Sequence, residues 1–212
     1  VPYQRNYLIE EKIYAAQVQQ QIKTRPVAPH TMQLAALWAV LTRLRKPDPT
    51  NFPKEYEPVI SKLGPLEKAE LFALGHVGEN FTIDESLKIQ RIAEEIHGES
   101  DSEPVYEGVF GASPRDLKTI LFNAAENPIF ECLSPIALIQ EIDLFVKDKS
   151  THSFLQIEAK GDYHNYKKFS LILRKKYQEL SLQDVRSSAG LIDEEEFSRI
   201  LREYLNQTSH YT

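Results

Sequence analysis

Signals for helix starts recur along this sequence and constrain its fold more than any other feature. In "GASPRDLKTI", Gly111 to Ile120, Ser113 is placed as an N-cap, Pro114 as the first helical residue and Asp116 as the third. Three local rules thus agree on one helix start. The same Ser–Pro pair returns at Ser134 and Pro135. Thr82 with Glu85, Ser181 with Asp184 and Asp193 with Glu196 supply further capping-box patterns, and Pro65 opens "PLEKAELFALG". Strand signals are few. The chain is expected to be all-α, its helices packed orthogonally.

Apolar spacing fills in the helices between these starts. From Asn6 to Lys23, Ile9, Ile13, Ala16 and Gln20 fall at steps of three or four, and Tyr7, Tyr14 and Val18 widen the stripe. After Pro26 and Pro29, "HTMQLAALWAVLTRL" places Leu34, Leu37, Trp38, Leu41 and Leu44 on a buried helix. "RKPDPTNFPKEYEP" is too rich in proline to continue it and reads as a connector. One helix is expected over "TIDESLKIQRIAEEIHG", with Leu87, Ile89, Ile92 and Ile96 as its apolar positions. "ESDSEPVYEG", Glu99 to Gly108, is a polar link. Leu117, Ile120, Leu121 and Ala124 share one face of the helix from Ser113 to about Glu126. A further helix carries Phe169, Ile172, Leu173 and Tyr177, and "EEFSRILREYL" closes the helical pattern.

Composition excludes several function classes. With 212 residues the chain makes one domain or two small ones, and 42% apolar residues suffice for a core. A formal net charge of -6 argues against broad nucleic-acid affinity. The single cysteine, Cys132, forms no internal disulfide and belongs to no zinc pattern, which fits a reducing, cytoplasmic location. No apolar run approaches a membrane span. The opening "VPYQRNYLIEEK" reads like the middle of a longer protein.

No Gly-Lys-Ser/Thr phosphate loop, kinase motif set, GxSxG or HExxH occurs, so this stretch is not expected to be a complete catalyst. His30 in "APHT" and His164 in "GDYHNY" have no neighbours that complete a metal or nucleophile arrangement, and read first as structural or surface residues. Cys132 reads as a small buried hydrophobe and "DEEEF" as an acidic helix start. Arg115 is harder to place. A cation in a helix's first turn loses about 0.3–1 kcal/mol against the helix dipole. Either Asp116 offsets it as a surface pair, or an anion arrives from elsewhere and meets Arg115 together with the free amides of the helix start.

"GASPR" followed by a helix resembles the sensor-2 segment of AAA+ ATPases, whose arginine reaches nucleotide phosphate from a helical lid. "VPYQRNYLIEEKIY", "VAPHTMQLAALWAVLTRLRKP", "PLEKAELFALG", "YEGVFGASPRDLKTILFNAA", "CLSPIALIQEIDLFVKD" and "YHNYKKF" come in an order similar to the PrkA family of bacterial serine protein kinases. The resemblance implies AAA+ lid-like helices over residues 1–149 and a C-terminal helical subdomain over 150–212. It implies that Arg115 matches the sensor-2 arginine, and that Gly111, Ser113 and Pro114 match the turn and helix start that aim it at the cofactor. His30 and Arg43 match recurring family positions without a chemical role attached.

ATP and Mg are implied for the full-length protein, with none expected in this fragment. The implied partners are the N-terminal AAA+ core of the same chain, a protein substrate and further copies of itself. Neither a membrane nor nucleic acid is expected as a partner. In "SPRDLKTILFNAAENPIFECLSPIALIQEI" the second of two adjacent helices begins with no basic or amide residues suited to reading base edges. A helical interaction or oligomerisation module without a catalytic role is the competing reading. It draws on "DYHNYKKF" and on the amphipathic tail from Phe197 to Leu205.

Overall fold

The computed structural model describes residues 2–21, 25–78, 80–99 and 107–190. Over these residues the chain forms nine α-helices and two short 3-10 turns. The helices are α1 (Tyr7–Gln21), α2 (Thr31–Arg43), α3 (Glu57–Lys62), α4 (Pro65–Leu74), α5 (Ile83–Arg91), α6 (Ala93–Gly98), α7 (Pro114–Glu126), α8 (Pro135–Phe145) and α9 (Tyr166–Ser188). Among the described residues the only β pairings are two isolated bridges, Val27 with Leu133 and Lys160 with Tyr163. The all-α expectation holds. No helix among the described residues is long and apolar enough to cross a membrane. The pattern at Asp193–Glu196 and the tail from Phe197 lie outside the described residues.

The chain divides into two compact units, Val1–Arg174 and Lys175–Thr212. In the second, the described part is the end of α9, whose residues from Leu182 onward are exposed, closed by Gly190 in the left-handed region (φ 66°). Ser181 and Asp184, expected to cap a new helix, lie inside α9, because neither Gly nor Pro interrupts the chain before Gly190.

In the first unit α2 is the central element. Every residue from Leu34 to Leu44 is buried, so this helix is enclosed on all sides rather than amphipathic. Helices α1, α4, α7 and α8 pack around it, and the Trp38 indole meets Phe145 of α8 edge-on at 5.9 Å. A second apolar cluster joins α3, α4, α5 and α6 through Ile60, Leu71, Ile89 and Ile96.

Three local expectations are corrected. Helix α3 lies partly in the segment read as a connector: Pro58 stands in its first turn, where proline is tolerated, and Val59 and Ile60 bury behind it. The single helix expected from Thr82 to Gly98 breaks at Ile92 (φ -109°, ψ 17°), and Ile89, Ile92 and Ile96 all stay buried across the break, whereas Leu87 is exposed.

The third correction concerns α1, which turns Tyr7, Glu10, Tyr14 and Val18 inward and leaves Ile9 and Ile13 exposed. The reason is electrostatic. The Arg43 guanidinium at the end of α2 is buried, and its Nη2 donates to Glu10 Oε1 at 2.7 Å, with the side chains 0% and 2% exposed. Tyr14 donates its hydroxyl to the same carboxylate oxygen. A buried guanidinium without a counter-charge is strongly unfavourable, so α1 presents the face that carries the carboxylate. Arg43→Met, which leaves Glu10 buried and without its cation, is expected to lower stability by about 3–5 kcal/mol. Urea unfolding followed by circular dichroism measures that loss, and a change below 1 kcal/mol contradicts the account.

Candidate functional site

The start of α7 carries the local structure that "GASPRDL" calls for. Ser113 caps the helix: its Oγ accepts from the Asp116 amide at 3.2 Å, and Asp116 Oδ2 accepts in return from the Ser113 amide at 2.8 Å. Leu117, Ile120, Leu121 and Ala124 are buried, as their spacing predicts, and α8 packs alongside.

The residue before the cap is held from α2. The Ala112 amide donates to Thr42 Oγ1 at 2.8 Å. The Ala112 carbonyl accepts from Arg43 Nε at 3.1 Å and Nη2 at 2.8 Å. Arg43 Nη1 donates to the Gln4 carbonyl at 2.8 Å, and the guanidinium lies 5.0 Å from the Tyr3 ring centroid. Arg43 therefore has a structural role, which its sequence context had not assigned. Gly111 fits this closeness, with φ at 129° and a hypothetical Cβ falling 2.5 Å from Arg43 Cγ and 3.0 Å from Thr42 Oγ1. No larger residue has room there.

A second buried ion pair holds the other end of the loop. Glu107, 1% exposed, accepts from Lys68 Nζ at 2.7 Å and from the Arg45 amide at 2.6 Å. Lys68 also donates to the Arg45 carbonyl at 2.9 Å. Between these anchors the Gly108 carbonyl accepts from the Tyr3 amide at 2.8 Å, while Val109 and Phe110 remain exposed. Sequence reasoning missed Glu10, Thr42, Lys68 and Glu107. For Glu10 and Lys68 a signal exists: each is a charge standing on the apolar stripe of its helix.

Arg115 is exposed and makes no side-chain hydrogen bond or ion pair with any described residue; only its carbonyl is engaged, by Thr119 Oγ1 at 3.1 Å. The surface Arg–Asp pair is corrected accordingly. Asp116 turns back to the cap, and its other oxygen lies 3.5 Å from His152 Nδ1. The cap also occupies the amides of Ser113 and Asp116, and Pro114 has none, so a phosphate arriving here meets the Arg115 guanidinium rather than an amide cradle. A cleft of about 310 Å³ adjoins the helix start, lined by Tyr3, Gly111, Ser113, Asp116 and His152 among others, with Arg115 outside its lining.

The remaining candidates fall elsewhere. His30 caps α2 through its backbone in the left-handed region (φ 63°), its carbonyl accepting from the Leu34 amide at 2.9 Å. Cys132 is half-buried rather than a core residue, because the adjacent Leu133 takes the buried place and bridges to Val27. His164, also left-handed (φ 59°), lines a separate cavity of about 1140 Å³ between the end of α8 and the start of α9. Burial, reinforced by the Arg45 and Lys160 charges and opposed by Glu107, holds the His164 imidazole below its ordinary pKa of 6.5. Among the described residues no group of three or more His, Cys, Asp or Glu side chains is placed to hold a metal ion.

A family model described as the PrkA serine protein kinase C-terminal domain matches residues 66–212. The chain belongs to the PrkA family. A Bacillus subtilis (strain 168) protein named ATP-dependent protease PrkA is 22% identical over 212 residues, covering 100% of this chain and 29% of that protein. The chain thus spans less than a third of that relative's length. No solved structure matches. The matched residues contain the α7 start with Arg115 as well as Lys68 and Glu107; Thr42 and Arg43 precede them.

Two predictions follow from this geometry. Gly111→Ala forces a Cβ against α2 and an unfavourable φ, and is expected to destabilise by about 1–3 kcal/mol, read from the urea midpoint. For His164, whose folded pKa is depressed, the unfolded chain takes up the proton first as pH falls. Its stabilising contribution is complete above 6.5 and is lost as pH drops through the folded value. His164→Asn, a residue that tolerates the left-handed conformation, is expected to shrink the stability difference between about pH 8 and about pH 5. An unchanged difference contradicts this assignment.

Proposed function

We propose that this chain is the lid and C-terminal helical region of an ATP-dependent serine/threonine protein kinase of AAA+ type, not catalytic alone, in which Arg115 faces nucleotide phosphate. The observation that supports this most is Arg115 itself. It is an exposed guanidinium without a partner among the described residues, at the positive end of a helix whose first turn is held firmly. A cation in that position is unfavourable unless an anion meets it, and a planar guanidinium matches the two-pronged geometry of phosphate as of carboxylate. Arg115 fits a nucleotide in this respect. Bound ATP and Mg²⁺ supply the transferable phosphoryl group and its charge neutralisation. The phosphate loop and the metal ligands belong, in this reading, to the AAA+ core of the same polypeptide. Gly111 and Ser113 serve by aiming α7 rather than by donating to phosphate, and the protein works in the cytoplasm on a protein substrate.

The two names found among relatives differ, one a serine protein kinase and the other an ATP-dependent protease. An ATP-responsive lid suits both, and the kinase reading rests on the family model. In the full-length protein Arg115→Ala is expected to weaken ATP binding by about 1–3 kcal/mol, the loss of a charged hydrogen bond. Unchanged affinity and turnover would falsify the lid assignment. Supplying γ-labelled ATP with a protein substrate then separates the names. Label on serine or threonine supports the kinase, and ATP-dependent release of peptides without label supports the protease.

A further inference from the structure

We propose that Thr42 and Arg43 are positioning residues for Arg115: the last turn of α2 sets the direction of the α7 start and so of the phosphate-facing guanidinium. The proposal rests on the lid reading and goes beyond it, because neither residue faces a nucleotide.

Only Ser113 and Pro114 separate Ala112, which α2 holds, from Arg115. The Ala112 amide is held by Thr42 and its carbonyl by Arg43, so both peptide groups flanking this fully buried residue are pinned by neighbouring side chains of one helical turn. Ser113 is fixed by its reciprocal bonds with Asp116, and the Pro114 ring locks its own φ. The backbone along this path is thus held at each residue, which sets the point from which the exposed Arg115 side chain leaves the helix. The apolar face of α7 fixes the helix axis, but it begins at Leu117, past the residue that matters. Helix α2 is itself enclosed by its neighbours and cannot yield.

The charge arrangement separates the two arginines. Glu10 neutralises Arg43 in the interior, so Arg43 does not compete for the phosphate. Arg115 has no such counter-charge among the described residues. A displacement of about 1 Å in a group that binds or stabilises phosphate is enough to lower its effect severalfold or more.

The test is a double-mutant cycle in the full-length protein, reading ATP affinity and melting temperature. Thr42→Val removes the acceptor for the Ala112 amide at nearly constant volume, and Thr42→Ser keeps it. With Arg115 present, Thr42→Val is expected to weaken ATP binding by about 3- to 10-fold and Thr42→Ser by less than about 2-fold. In an Arg115→Ala background Thr42→Val should change affinity by less than about 2-fold while lowering the melting temperature as before. Equal weakening in both backgrounds, or none in either, overturns the positioning role and leaves the lid assignment intact. If Arg115→Ala alone has no effect, the lid assignment fails and the positioning role with it. Should Thr42→Val not fold, Arg43→Lys replaces it. Lysine keeps the charge for Glu10 but loses the two-pronged hold on Ala112, and the same outcomes decide.

Discussion

A guanidinium cannot be taken out of water cheaply, and Arg43 is taken out completely. Everything around it follows from that requirement. One nitrogen meets the Glu10 carboxylate, another the Gln4 carbonyl, and the Ala112 carbonyl receives two donors. Satisfying the charge therefore draws three separate pieces of chain to the end of α2: the N-terminal segment, helix α1, and the loop entering α7. Hydrophobic burial alone would favour the face of Ile9 and Ile13 over that of Tyr7, Glu10 and Tyr14, yet the former is the exposed one. The ion pair chooses. Burial and the hydrogen bond to Glu10 also push the Tyr14 hydroxyl well above its ordinary pKa, so it remains a donor to the carboxylate throughout the neutral range.

The same device recurs at the other end of the loop. Lys68 and Glu107 are both buried and paired, and Glu107 also caps the Arg45 amide. Two buried ion pairs thus bracket the short stretch from Glu107 to Ala112. Such pairs add little net stability over a well-packed apolar contact, but an unpaired member is strongly unfavourable, so they select one arrangement sharply. Specificity of geometry, more than stability, is what this stretch gains. The stretch leads directly into the capped start of α7.

How much of this was legible beforehand depends on whether the determining interaction was local. Caps at Thr82, Ser113 and Ser134, the start at Pro65 and the buried faces of α2 and α7 are set by residues within one or two turns, and they could be read directly. The inward face of α1 could not, because Glu10 is drawn in by Arg43, distant in sequence. Arg115 stood out as an anomaly, and of the two roles open to Asp116 the capping one is realised while the surface pair is not. Capping boxes are also permissive. The pattern at Ser181–Asp184 satisfied the rule but lay inside a helix with nothing to break it, so a cap acts only where the chain has a reason to stop.

The α7 start then shows how an unfavourable residue is accommodated. Arg115 opposes the helix dipole by a few tenths of a kcal/mol to about 1 kcal/mol. Asp116, the third residue, lies favourably at the same helix end while its oxygens engage Ser113 and approach His152. The negative charge that stabilises α7 is therefore present but directed away from Arg115, and the guanidinium keeps its capacity for an outside anion. Were the two paired, the helix would gain no more than a surface salt bridge contributes, and an incoming phosphate would first have to break that pair. Separating the stabilising carboxylate from the exposed guanidinium, on adjacent residues of one turn, lets a stable helix start coexist with an Arg115 side chain unpaired among the described residues.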